Sequence, residues 1–263
     1  MSLNLLQLTD THLFADRSGT LKGVSTYQSL EMVVSLAQKE ESQTDIVVLT
    51  GDLSQDETIE SYRNVNEIVS RLERPAYYIP GNHDDTAIML EPLTLGGKIE
   101  RKRSHCQGVW RLVFLDSCQE GKIEGYLSDA ELLAFEKELL EADEPNVLIF
   151  LHHNPVNLND ERVDSMMLKN ADSFFSILDR FEKVRAVVWG HVHQEFQSKR
   201  GDVELFASPS TCVQFRATAT GLTIDARAPG YRVFKLEDDG SIKSYVRRLV
   251  DIPVGLRLIE GDL

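Results

Sequence analysis

The chain has 263 residues, and 28 Lys+Arg against 42 Asp+Glu give it a formal net charge of −14. That acid excess disfavours a nucleic-acid polymer or an anionic membrane as the main partner, because both require a basic surface to displace counterions. A small anionic substrate stays open if positive charge is concentrated at one site, and a composition of 42% hydrophobic and 27% charged residues is that of an ordinary globular protein.

In chain order, Leu3 to Leu8 reads as a strand. Leu30, Val33, Val34 and Ala37 then mark a helix by their three-and-four spacing, and Ile46 to Thr50 a second strand. Ile59, Tyr62, Val65, Ile68, Val69 and Leu72 mark another helix before a strand over Ala76 to Ile79. A strand follows over Trp110 to Leu115. Ser128-Asp129-Ala130-Glu131 has the form of a capping box, which opens a helix carrying Leu132, Leu133, Phe135, Leu139 and Leu140. Val147 to Leu151 and Val184 to Trp189 are further strands. After His191 the pattern turns to hairpins, Glu195 to Lys199 with Val203 to Phe206, then Tyr231 to Leu236 with Ile242 to Arg248.

Strands alternating with helices predict an α/β fold with a β-rich C-terminal quarter. The chain reads as one domain over 1–263, with a core over about 3–250 and a loose tail after Pro253. The opening MSLNLLQLTD lacks the basic region of a secretory leader. No run approaches the roughly 18 apolar residues of a membrane span, so neither a membrane partner nor a membrane location is expected. Cys106, Cys118 and Cys212 are odd in number and far apart, which suits reduced thiols and a cytoplasmic protein.

Polar residues gather where strands end. Asp10 and His12 follow the first strand, Gly51-Asp52 the second and Gly81-Asn82-His83-Asp84 the third; His152-His153 and Gly190-His191-Val192-His193 close two later ones. Open α/β sheets bind ligands at the carboxyl ends of their strands. Of the seven histidines, six fall in these motifs and only His105 lies outside. Imidazole together with carboxylate suits divalent transition metals, and two such ions about 3.5 to 4 Å apart activate water and clamp a phosphoryl group. Taken singly, each motif also reads as a strand-end cap or a turn. It is the ordered set that favours chemistry.

The set D-x-H, G-D, G-N-H-D, H-H and G-H-x-H resembles the calcineurin-like metallophosphoesterase family. Leu8 to Phe14, Gly51 to Asp56, Gly190 to Glu195, Ser208 to Phe215 and Ala228 to Arg232 are similar to its class III cyclic-nucleotide phosphodiesterases. The resemblance implies a sandwich of mixed β-sheets flanked by helices. It implies two divalent ions, Fe or Mn first, with Co or Zn as alternatives: Asp10, His12 and His193 on one, Asn82, His152 and His191 on the other, and Asp52 bridging. His12, Asp52, Asn82, His83 and His193 would face the substrate. A metal-bridged hydroxide would attack phosphorus, His83 would stabilise the phosphorane or protonate the leaving 3′-oxygen, and Asp84 would orient the His83 imidazole by a hydrogen bond. His153 is expected in the surrounding layer.

The implied activity is hydrolysis of 3′,5′-cyclic AMP to 5′-AMP. The alternative is a broad-specificity enzyme for 2′,3′-cyclic nucleotides or other small diesters. Asn157 to Asn170, with Met166 and Met167, and Ser208 to Phe215 are candidate walls of a base pocket, and Cys212 is expected to be a buried small residue. The glycines before Asp52, Asn82 and His191 are expected to clear room for tight turns and close substrate approach.

Overall fold

A computed structural model of the chain describes residues 2–218, 221–251 and 255. The first half contains β1 (Leu3–Leu8), the short pair β2 (Thr20–Leu21) and β3 (Val24–Ser25), α1 (Thr26–Glu40), β4 (Ile46–Thr50), α2 (Ile59–Val69), β5 (Ala76–Ile79), α3 (Leu90–Thr94) and β6 (Ile99–Glu100). The second half begins with β7 (Ser104–Gln107), β8 (Trp110–Phe114), α4 (Asp129–Glu141), β9 (Asn146–Phe150), α5 (Glu161–Ser165), α6 (Ala171–Leu178) and β10 (Val184–Trp189). Hairpins follow: β11 (Phe196–Arg200) with β12 (Val203–Ala207), β13 (Gln214–Thr218) with β14 (Gly221–Asp225), and β15 (Gly230–Leu236) with β16 (Ile242–Arg248).

Two six-stranded mixed sheets result, ordered β16-β15-β1-β4-β5-β6 and β11-β12-β10-β9-β8-β7. In the first, β1, β4, β5 and β6 run parallel and β15 joins antiparallel. In the second, β12, β10, β9 and β8 are parallel, with antiparallel strands at both edges. Side chains alternate across each strand. Leu5, Ile46, Val48, Leu148, Phe150, Ala186 and Val188 therefore share the core between the sheets. Their neighbours Leu6, Val47 and Leu49 meet Leu30, Val33, Val65 and Ile68 of α1 and α2 on the outside of the first sheet. Val147, Ile149 and Val187 meet Phe135, Leu139, Phe174 and Leu178 of α4 and α6 outside the second. This α/β/β/α layering explains why β4 and β9 are buried at every position: both of their faces are covered.

The expected strands and long helices are present within a residue or two at their ends. Ser128 Oγ accepts the Glu131 N–H at 3.1 Å as anticipated. The reciprocal half of the box is not made, because the Glu131 carboxylate takes both guanidinium nitrogens of Arg103 (2.8 and 3.0 Å) and the Asp116 N–H (3.1 Å). Leu133 and Leu140 lie on the outer face of α4, 69% and 66% exposed, while Phe135 and Leu139 carry its packing. The tail anticipated after Pro253 lies outside the described residues, apart from Gly255. Among the described residues no helix is long and apolar enough to cross a membrane.

Candidate metal centre and substrate cavity

The parallel strands β1, β4 and β5 of one sheet and β9 and β10 of the other direct their carboxyl ends to one edge, and all five motifs meet there. The backbone at this edge is unusual. Asp10 (φ 53°), His12 (48°), Asp52 (52°), His191 (67°) and His193 (51°) are five of the nine non-glycine residues with positive φ among the described residues. Left-handed conformations cost of order 1 kcal/mol or more each and persist only where the surroundings impose them. Here cross-strand bonds do so: Asp10 N–H to Gly51 O and His12 N–H to Asp52 O, both 3.0 Å, and His191 N–H to the Asp10 carboxylate at 3.1 Å.

The glycines work differently from the expectation of room for substrate. A Cβ on Gly51, itself at φ +89°, would sit 2.5 Å from His152 Nδ1 and 2.6 Å from Gly81 N. A Cβ on Gly81 would run into the Asp52 carboxylate and backbone amide. What these glycines permit is close approach of one motif to the next.

Histidine protonation follows from the hydrogen bonds. His152 Nδ1 is 2.7 Å from Thr50 O, and His193 Nδ1 is 2.7 Å from Val213 O. A carbonyl only accepts, so each Nδ1 carries a proton and each Nε2 presents a lone pair inward. His152 Nε2 then faces Asp52 Oδ1 at 3.4 Å and Asn82 Oδ1 at 3.3 Å. His193 Nε2 faces Asp10 Oδ1 at 3.5 Å and His12 Nε2 at 3.2 Å, and His12 Nε2 lies 3.7 Å from Asp52 Oδ2. Acceptors pointing at acceptors in a buried site are reconciled only by extra protons or by a cation.

The ionisation tendencies record this conflict. Burial pushes His152 down, but Asp52 outweighs it and holds His152 at about 9; Asp10 likewise outweighs burial and raises His193. Asp52 and Asp10, despite burial, fall below the usual carboxylate range beside His152 and His193 respectively. Burial holds His12 down to about 4 and, with His153 and His152 alongside, His191 well below its ordinary value, so both imidazoles are neutral. His191 Nε2 is buried with no partner among the described residues. Asp10, His12 and His193 place one ligand atom each within 4.8 Å of one another, as do Asp10, Asp52 and His152. This donor set fits divalent cations: four imidazoles, two carboxylates and an amide oxygen, with the His152 and His193 rings fixed through their far nitrogens.

One expected role is placed differently. The Asp84 carboxylate accepts the backbone N–H groups of Leu53 (3.0 Å), Ser54 (3.0 Å) and Gly81 (2.8 Å), so it clamps the G-D loop to the G-N-H loop and makes no hydrogen bond with the His83 imidazole. Burial first, then the Asp52 charge, raise Asp84 to about 7 against those three amides. His83 Nδ1 lies 3.5 Å from Gln55 Nε2, a residue that the sequence singles out only as part of the segment Gly51 to Asp56. His153 has both ring nitrogens occupied, by Ser117 Oγ (2.8 Å) and Ile123 O (3.0 Å), and packs edge-on against His152.

Above the histidines opens a cavity of about 290 Å³ with His12, Asp52, Asn82, His83, His191 and His193 in its lining. Of the anticipated walls, Met166 and Phe215 line it, whereas Met167 packs against the apolar core outside the second sheet. Arg162 and Val163, within the anticipated segment Asn157 to Asn170, also line it, as do Leu21 and Ile123, which carried no signal in the sequence. Cys212 is buried beside Ser210 and the Asp10 carbonyl, with its thiol pushed up to about 12 by burial, which is not the state of a nucleophile.

Comparisons with known proteins agree with this geometry. The family model described as calcineurin-like phosphoesterase matches residues 3–195. The chain is 38% identical over 251 residues to the 3′,5′-cyclic adenosine monophosphate phosphodiesterase CpdA of Pseudomonas aeruginosa, covering 95% of this chain and 92% of that one. It is 35% identical over 249 residues to a 3′,5′-cyclic-nucleotide phosphodiesterase of Nostoc sp., covering 95% and 93%. A dimetal phosphatase from Danio rerio has a similar structure, with a TM-score of 0.65 at 13% identity over 94% of this chain and 98% of that one, a likeness of fold.

Proposed function

The chain belongs to the calcineurin-like phosphoesterase family, and from that premise we propose that it is a dinuclear-metal phosphodiesterase that hydrolyses 3′,5′-cyclic AMP to 5′-AMP. Asp10, His12 and His193 would hold one ion, Asn82, His152 and His191 the other, and Asp52 both. The mixed nitrogen and oxygen donors suit Fe or Mn, with Co and Zn as alternatives. Two divalent ions, when bound, supply an activated water and positive charge against the phosphoryl oxygens.

The protein's own residues supply the rest. Gln55 Nε2 faces the His83 Nδ1 at 3.5 Å, which leaves Nε2 as the ring atom that would meet the phosphoryl group or the leaving 3′-oxygen. His12, Asp52, Asn82 and His193 line the cavity beside it and complete the substrate-facing set. Asp84 acts at one remove: by gripping the amides of Leu53, Ser54 and Gly81 it fixes the spacing between the loops that carry Asp52 and Asn82. Because the site draws on both sheets, we read the chain as one domain. Its three free thiols suit the cytoplasm.

The observation that carries the proposal is the convergence of donor residues from five strand ends: His12, Asp52, Asn82, His191 and His193 line one cavity that is otherwise largely apolar, and Asp10 and His152 lie buried behind them with ligand atoms within 4.8 Å of that of Asp52. The test is reconstitution with Mn or Fe, followed by chromatography of the products from cyclic AMP and elemental analysis of the protein. Hydrolysis with close to two ions per chain is expected. Failure to cleave either cyclic AMP or bis-p-nitrophenyl phosphate would overturn the enzyme reading.

A further inference from the structure

The upper part of the cavity is built from two apolar walls that belong to different parts of the molecule. Leu21, from the β2–β3 hairpin, and Phe215, from β13, rest on a small cluster formed by Val24, Cys212, Val213 and Ile224. The Phe215 ring lies 4.8 Å from the His193 ring, one aromatic ring's breadth from the donor cluster. Val163 and Met166 form the other wall. Val163 is buried in the core outside the second sheet, and the Asp160 carboxylate holds it by accepting the N–H groups of Arg162 (2.9 Å) and Val163 (3.1 Å). Met166 follows, its N–H bonded to Val163 O at 3.0 Å. Ile123 completes the rim and is 56% exposed although apolar, while its carbonyl is spent on His153. Leu21, Met166 and Phe215 are half-buried, and with the exposed Ile123 they line the same cavity as the polar donor groups; such a mixed lining marks a place where an apolar part of a ligand is covered.

We propose that the cleft between Leu21 and Phe215 on one side and Val163 and Met166 on the other is the nucleobase subsite, and that it takes a planar purine ring by stacking and burial. The inference rests on the reading of the floor as a cyclic-nucleotide phosphodiesterase centre. A cyclic phosphate seated among His12, Asn82 and His83 leaves the ribose and base to extend along the lining toward Phe215, the aromatic face next to the donor cluster. Aromatic faces hold any base through its π surface, and a thioether adapts to the ring edge. A cavity of about 290 Å³ is near the lower end of the range for small-molecule sites, which favours a single nucleotide over an oligonucleotide.

The experiment compares cyclic AMP with ribose 3′,5′-cyclic phosphate that lacks a base, in the metal-loaded full-length protein. Leu21→Ala and Met166→Ala are the test variants, since neither side chain belongs to the donor set. For cyclic AMP, each variant is expected to raise KM about tenfold, in line with the loss of one stacking or covering contact, with kcat close to wild type. The base-free substrate is expected to be cleaved with the wild-type kcat/KM, and metal content to stay near two per chain. A KM for cyclic AMP unchanged in the double variant Leu21→Ala/Met166→Ala overturns the subsite while leaving the phosphodiesterase reading intact. Equal losses on both substrates also overturn it, because the walls would then merely support the metal centre. A wild-type protein that cleaves the base-free compound but not cyclic AMP overturns both readings.

Discussion

Replacing Gly81 with alanine separates positioning of the centre from stability of the fold. A Cβ at this position would lie 2.8 Å from Asp52 Cγ and closer still to the Asp52 carboxylate oxygen and amide. Carbon contacts relax at about 3.5 to 4.0 Å, so the two loops must part by roughly 0.7 to 1.2 Å. Overpacking of this kind costs about 1 to 3 kcal/mol, which for a chain of this size lowers Tm by roughly 2 to 12 °C. Misplacing a reacting group by about 1 Å costs on the order of a hundredfold in rate. Gly81→Ala is therefore expected to fold, to melt a few degrees early, and to lose about two orders of magnitude in kcat together with metal affinity. Gly96→Ala is the control: its φ of +90° is strained for alanine, but the added Cβ meets nothing within 4 Å. It should lose about 1 kcal/mol of stability and no activity. Thermal melts, elemental analysis and kinetics on the two variants decide the matter. A Gly81→Ala protein with two ions and turnover within about threefold of wild type would refute the close-approach reasoning.

Three further outcomes follow from the geometry. Asp84→Asn replaces an acceptor of three backbone amides with a group that carries its own donors; about 2 kcal/mol of stability and part of the metal affinity should be lost, whereas His83→Ala should lower kcat with both ions retained, so identical phenotypes would return Asp84 to the role of orienting His83. Arg162 lines the cavity mouth, is exposed, and has no ion-pair partner among the described residues; in a chain of net charge −14, Arg162→Ala should reduce kcat/KM for an anionic diester by about threefold to tenfold at low salt and by little at high salt. Burial first, then Glu144, raise the exposed Cys106 thiol to about 11, and burial raises Cys212 to about 12; a raised thiol pKa leaves little thiolate at pH 8, so native-state labelling should be about a hundredfold slower than for a free thiol and should quicken with each pH unit up to 11. Rapid labelling of the folded protein at pH 8 would contradict the raised values.

The donor cluster was legible in the sequence because its chemistry dictates residue type, and its place dictates spacing. Asp10 and His12, Asp52, Asn82, His152, and His191 and His193 each follow an apolar strand, and strands that run parallel bring such ends together. The capping box and Asp84 were only half legible for one shared reason: adjacency does not reveal side-chain direction. Asp84 follows His83, yet the turn closed by Asp84 N–H to Gly81 O at 3.1 Å turns its carboxylate to the amides of the neighbouring loop. Glu131 similarly found Arg103 a better partner than the helix end. The cavity walls were the least legible part. Leu21 and Ile123 are unremarkable apolar residues, one on a two-residue strand and one in a loop, and only the folded chain brings them beside the histidines; Val163 was anticipated only as part of the segment Asn157 to Asn170. Met166 and Met167 are adjacent in sequence, but one lines the cavity and the other packs outside the second sheet.

The most direct measurement is chromatographic identification of the product from 3′,5′-cyclic AMP after incubation with the Mn- or Fe-loaded protein. Seating the cyclic phosphate with its 3′-oxygen as the leaving group beside His83 predicts 5′-AMP as the only nucleotide product. Formation of 3′-AMP, or intact 3′,5′-cyclic AMP alongside cleavage of 2′,3′-cyclic AMP, would contradict that seating and the function assigned to it.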